Sequence, residues 1–245
     1  MEALVAILVG LLAGIVGSIA GLGGGAIMVP LLILAGVEPH HAVSASLFAV
    51  LGTSLGGIIH LHKEGLLDTR LAVTLATASV TGAVIGAYVA VNIPGRVIVA
   101  IVVLVLVASG IIALRGPRSA ARQGSHAIPL AWAVLLVGGF VGALAGKGGG
   151  SFNMPVLIGI MGLDSRRAAA TSKLMAGFNA ATATLVYAMH GMLDLALAVP
   201  LVIGTYTGAT IGSRLITRMK IEHHKLIVAV IYFVLAGAAT VKLVG

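Results

Sequence analysis

The chain has 245 residues, 59% of them apolar and only 9% charged, and a formal net charge of +8. A soluble domain carries about 25% charged residues, so the composition excludes one and points to several membrane spans with no separate soluble domain. The positive charge lacks the basic runs interleaved with aromatics that a nucleic-acid interface needs, and the absence of cysteine excludes disulfides, thiol nucleophiles and thiolate metal sites.

Leu4 to Ala20 is apolar and long enough for most of a span. The opening MEALVAILVG has an acidic residue and no basic n-region, so it reads as the start of a membrane segment rather than as a secretory signal. GLGGG follows at Gly21 to Gly25, and Ala26 to Val37 is then an apolar run of 12 residues. A span needs roughly 20, so this run is expected to re-enter or to be steeply broken. Glu38, Pro39, His40 and His41 read as a polar turn. Helices are expected over Ala42 to Leu61, Leu71 to Val91 and Val97 to Leu114, separated by a charged loop at His62 to Arg70 and a turn at Asn92 to Gly95. RGPRSAARQGSH, Arg115 to His126, is the most polar stretch.

The plan then repeats. Ile128 to Ala145 is helical, GKGGG follows, and Ser151 to Met161 is again short. GLDSRR at Gly162 matches GVEPHH at Gly36. Ala168 to Met189 matches Ala42 to Lys63, GMLD at Gly191 matches GLLD at Gly65, and TGATIGS at Thr207 matches TGAVIGA at Thr81. Lys225 to Val244 matches the last helix of the first half. One offset held over five segments marks an internal duplication. The expected architecture is an all-α integral membrane protein of two inverted-topology repeats. Each has a glycine-broken helical pair, fully crossing or re-entrant, plus three spanning helices. Residues 1–114 form the first repeat, 115–127 a cytoplasmic linker and 128–245 the second repeat.

Charge sets the orientation. With both termini outside, eleven basic residues fall inside, among them Lys63, Arg70, Arg115, Arg166, Arg167 and Arg214, against Arg96, Lys147 and Lys242 outside. A parallel repeat would put the basic stretch from Arg214 to Lys225 on the wrong face.

Each triple glycine precedes a short helix. Three glycines are costly within a spanning helix, and a helix broken at membrane depth survives where its backbone lines a cavity. The free N–H groups and positive potential of a helix start suit an anion that glycine lets approach. Gly23, Gly24 and Gly25 in the first half and Gly148, Gly149 and Gly150 in the second are the candidate backbone contacts. The halves differ in side chains: Ser151, Asn153, Thr171, Lys173 and Asn179 stand where the first half has Ala26, Met28, Ala45, Leu47 and Thr53. These five, with Ser44, Ser46 and Ser172, are the candidate substrate contacts. A lysine such as Lys173 inside a segment faces a cavity or partner, or snorkels to the interface. Lys147 is a ligand, a gate at the mouth, or a loop lysine. His60 and His190 are candidates for pH-linked gating or coupling, because histidine titrates near neutrality. The histidine pairs His40–His41 and His223–His224 lack the carboxylates or thiolates that would complete a metal site. Glu64, Asp68 and Asp194 read as helix caps or loop pairs. Nothing forms a catalytic constellation, so no enzyme activity, cofactor or metal is expected.

GIVGSIAGLGGGAIMVPLLILAGVEPHHAVSASL, its second copy GALAGKGGGSFNMPVLIGIMGLDSRRAAATSKL, and the pair TGAVIGA and TGATIGS resemble the sulfite exporter TauE/SafE family over nearly the whole chain. The resemblance implies a multi-pass permease for sulfite or organosulfonates. Sulfur chemistry comes from that resemblance alone, and it fixes neither direction nor coupling ion. The expectation is therefore an anion permease of the cell membrane working by secondary transport. Its partners are a small-molecule anion and the lipid bilayer, with no nucleic acid and with homo-oligomerisation left open. The alternatives are a cation or metal carrier using the histidines, and a non-transporting membrane assembly protein.

Overall fold

The computed structural model describes residues 3–20, 24–115, 127–216, 230 and 232–240. The polar linker at 116–126 and the basic stretch at 217–229 lie outside the described residues. The described chain is all helical: α1 (Ala3–Ala20), α2 (Gly25–Leu34), α3 (Pro39–Lys63), α4 (Thr69–Val91), α5 (Gly95–Arg115), α6 (Ala127–Leu144), α7 (Gly150–Gly159), α8 (Ser165–Met189), α9 (Leu195–Ile216) and α10 (232–240).

Among the described residues, Pro39–Ile59, Thr69–Val91 and Leu195–Gly212 are long and apolar enough to cross a bilayer, and shorter apolar helices accompany them. Leu4, Leu8, Leu12, Leu104, Leu185 and Val234 are all more than half exposed on the outside of the bundle, a surface suited to lipid and not to water. The chain is an integral membrane protein.

Several helices begin earlier than their apolar pattern does, because carboxylates cap them. Glu38 accepts from the backbone N–H groups of His40 and His41 at 3.0 and 3.2 Å, and Pro39 sits in the first turn, where its missing N–H costs nothing. The expected turn at Glu38 to His41 is therefore the start of α3. Asp164 does the same for Arg166 and Arg167 at the start of α8, at the matching position of the second half. Asp68 caps α4 through Leu71 N–H, and Asp194 accepts from Ala196 N–H. The short helices α2 and α7 have no side-chain cap. Each starts from a left-handed glycine, Gly24 at φ 74° and Gly149 at φ 78°, and each contains a proline, Pro30 and Pro155.

Close packing follows the glycines. A Cβ on Gly208 would strike the Leu11 carbonyl, and one on Gly212 the Ile15 carbonyl. At the matching positions of the other half, Gly82 faces the Leu136 carbonyl and Gly86 that of Phe140. Gly14 on Thr205 is likewise repeated as Gly139 on Ser79. So α1 of the first half packs on α9 of the second, and α6 of the second on α4 of the first. Partner numbers rise together along α1 and α9, so these helices run in the same direction. Between α3 and α8 they fall as the other rises, Gly57 meeting Lys173 and Gly177 meeting Ser54, so this matched pair runs antiparallel. Small residues supply the contact faces, since in lipid it is close packing that holds helices together.

Candidate functional site

The two glycine breaks touch. A Cβ on Gly25 would collide with the Gly146 carbonyl and stand 3.0 Å from Lys147 Cα, so only glycine permits the approach. Ser46, fully buried on α3, donates its hydroxyl to Gly146 O at 2.9 Å and lies 3.4 Å from Gly25 O. It thereby spans both breaks. Ser172, equally buried, occupies the matching position on α8.

The second break is a run of left-handed glycines, Gly146 (φ 69°), Gly148 (φ 62°) and Gly149 (φ 78°). Asn179, on α8, donates from Nδ2 to Gly148 O at 3.3 Å and accepts at Oδ1 from Ser79 Oγ at 2.9 Å. Its Nδ2 stands 2.7 Å from where a Gly149 Cβ would be, and Asn153 Oδ1 lies 3.7 Å from the same point. Asn153 is 1% exposed, and its Nδ2 has no hydrogen-bond partner. At the first break, Thr53 takes the place of Asn179, its methyl 3.5 Å from the corresponding point on Gly24.

Both intramembrane lysines are buried. Lys147 is 2% exposed, donates to Ser109 Oγ on α5 at 2.8 Å, and lies 5.1 Å from the centre of the Tyr232 ring on α10. Its side chain is packed inside the bundle rather than free in a loop. Lys173 is 6% exposed and donates to Ser18 Oγ on α1 at 3.4 Å, with its stem lying where a Gly57 side chain would otherwise be. It does not snorkel to the surface. Among the described residues neither lysine is paired with a carboxylate.

Other candidates lie elsewhere. Ser44 donates to Met192 O at 2.6 Å, and Thr171 accepts from Asp68 N–H at 3.3 Å. Each pins a turn of the opposite half, away from the glycines. His190 is exposed at the end of α8, bonded to Val186 O and edge-on to Tyr88. His40 is held between Glu38 and Ile93 O. Gly23 and His223–His224 lie outside the described residues, as do the side chains of His60 and Ser151; Gly150 opens α7. Sequence reasoning did not pick out Ser79, Ser18, Ser109 or Tyr232. Each contributes through a partner 38 to 155 residues away or an aromatic face, and spacing along one helix carries no trace of that.

Residues 6–239 match the family described as Sulfite exporter TauE/SafE. The chain belongs to the TauE/SafE family. Among its relatives is a "Probable membrane transporter protein" of Xylella fastidiosa (strain 9a5c), 30% identical over 223 residues that cover 87% of this chain and 85% of that one. Probable membrane transporter protein YfcA of Escherichia coli K12 is 27% identical, covering 85% and 78%. Probable membrane transporter protein YunE of Bacillus subtilis 168 is 25% identical and covers 94% of each. No solved structure matches the chain. This TauE/SafE member is a membrane transporter of a small-molecule substrate, and its two glycine breaks are in contact inside the bundle.

Proposed function

We propose that this TauE/SafE member is a cell-membrane permease for small sulfur-containing anions, sulfite or organosulfonates, that works by secondary transport and binds its anion between the two glycine breaks. The observation that carries the reading is the contact of Gly25 with Gly146 and Lys147, bridged by Ser46. The start of α2 thereby lies against the break that leads into α7, and the dipole at a helix start favours negative charge. Gly23, Gly24 and Gly25, with Gly148, Gly149, Gly150 and Ser151, supply backbone donors in this reading. Ser46, Asn153, Ser172 and Asn179 supply side-chain contacts. Lys173 and Lys147 supply positive charge that is worth more inside the bundle than in water.

Inverted repeats fit the same reading. The antiparallel run of the matched helices α3 and α8, and the recurrence of each glycine contact in the other half, support two halves of opposite topology. The excess of basic residues supports an inside linker with both termini outside. The chain has no cysteine, so single introduced cysteines with an impermeant thiol reagent test that orientation directly.

The test of function is uptake of labelled sulfite into liposomes holding the purified protein, with and without an imposed pH gradient. Uptake above empty liposomes is expected, and its gradient dependence reads out proton coupling. Equal counts with and without protein, for sulfite and for methanesulfonate alike, would remove the substrate class.

A further inference from the structure

The duplicated architecture suggests two equivalent seats, one per glycine break. The side chains around the two breaks are not equivalent. At the second break, α7 is 10 residues long and starts at Gly149 with no side-chain cap. The N–H groups of Phe152 and Asn153 turn back on Gly149 O at 3.0 and 3.2 Å. Those of Gly150 and Ser151 come before any carbonyl that the helix itself can offer them. Over this start hangs the Asn153 amide, buried, with its NH2 unpartnered. A buried donor left without an acceptor is costly, so its persistence points to a partner that arrives from outside the chain.

Asn179 completes the cluster, and its orientation is set from a third helix. Ser79 on α4 donates to Asn179 Oδ1, which turns the NH2 of Asn179 toward Gly148 and Gly149. The NH2 of Asn179 and the amide of Asn153, whose Oδ1 lies 3.7 Å from the Gly149 Cβ position and whose Nδ2 is unpartnered, thus flank one helix start, and no carboxylate contacts them among the described residues. Such a surface suits a ligand that offers acceptors, an oxyanion.

At the first break the corresponding residues are Met28, Thr53 and Thr205. Met28 is fully buried and apolar. The hydroxyl of Thr53 donates to Val50 O and that of Thr205 to Ala49 O, each at 2.8 Å. Among the described residues the first break presents no side-chain amide.

We infer that one oxyanion, not two, seats in each chain. It sits on the second break against the NH2 groups of Asn153 and Asn179, with Ser79 as a positioning residue and the first break as apolar backing. The inference rests on the anion-permease reading and narrows it to one half of the repeat.

The full-length protein in detergent, titrated with sodium sulfite by calorimetry, tests the seat. The expected stoichiometry is one per chain. Asn153→Asp and Asn179→Asp keep the shape but replace a donor by an acceptor, and each weakens sulfite binding at least about tenfold. Ser79→Ala lowers the ligand-free unfolding midpoint by leaving Asn179 Oδ1 without its donor and also weakens sulfite binding, and Ser79→Thr, which keeps the hydroxyl, restores binding. Two sulfites per chain, or wild-type affinity in folded Asn153→Asp, would overturn the seat.

Should the Asp variants fail to fold, the cysteine-free background gives a second readout. Methanesulfonate is expected to slow alkylation of Ser151→Cys and not of the matching Ala26→Cys. Protection of both or of neither overturns the inference. Uptake by wild-type liposomes judges transport separately. Binding at Asn153 without uptake removes transport of that anion and leaves the seat, whereas uptake unaltered in Asn153→Asp removes the seat and leaves transport.

Discussion

Ser46 and Gly146 are 100 residues apart in the chain and joined by a 2.9 Å hydrogen bond from a fully buried hydroxyl to a carbonyl inside the second glycine break. Ser46→Ala removes that donor without altering the packing volume by more than an oxygen. The expected loss is about 1–3 kcal/mol, since the carbonyl is left buried. A lowered unfolding midpoint with retained oligomeric profile checks it, and a midpoint equal to wild type would mean the two breaks are held together by other contacts.

Glycine substitutions separate contact from chain flexibility. Gly82→Val puts a side chain into the Leu136 carbonyl, and Gly25→Val does the same at Gly146. Both are expected to reduce the yield of folded protein and to abolish uptake. Gly237→Ala, on α10, meets nothing within 4 Å and is expected to be neutral or to stabilise by up to about 1 kcal/mol. Equal behaviour of Gly82→Val and Gly237→Ala in size-exclusion profiles would refute the close approach of α4 and α6.

Lys173→Met keeps the length of the stem over Gly57 and removes the charge. Removing a buried charge that has no carboxylate partner need not destabilise, so the unfolding midpoint is expected to hold or rise. Sulfite uptake is expected to fall about tenfold or more, as for loss of a charged hydrogen bond. Uptake at the wild-type rate would exclude Lys173 from the anion path.

Glu38 makes the start of α3 pH-sensitive. Partial burial raises its pKa. The hydrogen bonds from the His40 side chain and from the backbone N–H groups of His40 and His41 outweigh that, so the carboxyl is held below its usual value of 4.5. A lowered folded-state pKa means the unfolded chain binds the proton more tightly. The stabilisation is therefore full above the ordinary carboxylate range and is lost as pH falls through the lowered value. Glu38→Gln is expected to lower the unfolding midpoint near neutrality, with the gap from wild type closing in acid. A gap that stays constant from neutral to acid pH would remove the charge from the cap.

Much of this was legible in the chain. The broken short helices and the caps at Asp68 and Asp194 depend on local spacing, and the structure holds each of them. The start of α3 was misread because Pro39, His40 and His41 look like a turn until the Glu38 carboxylate is seen to satisfy the first N–H groups. Ser44 and Thr171 looked like site residues because they are polar positions within apolar helices. In the structure each meets a turn of the opposite half, Ser44 at Met192 O and Thr171 at Asp68 N–H, partners that spacing within one helix does not reveal. The burial of Lys147 depends on Ser109 and Tyr232, which come from helices that flank it only in three dimensions.

The interleaving of α1 with α9 also has a consequence for how the protein is made. The glycine-lined face of α1 meets Leu201, Thr205 and Ala209, residues that leave the ribosome after most of the chain. Through most of synthesis α1 must wait in the bilayer with that face covered by lipid or by the insertion machinery. A chain cut after α8 would strand it there. The two halves expressed as separate polypeptides should each be short-lived alone and rescue one another when produced together.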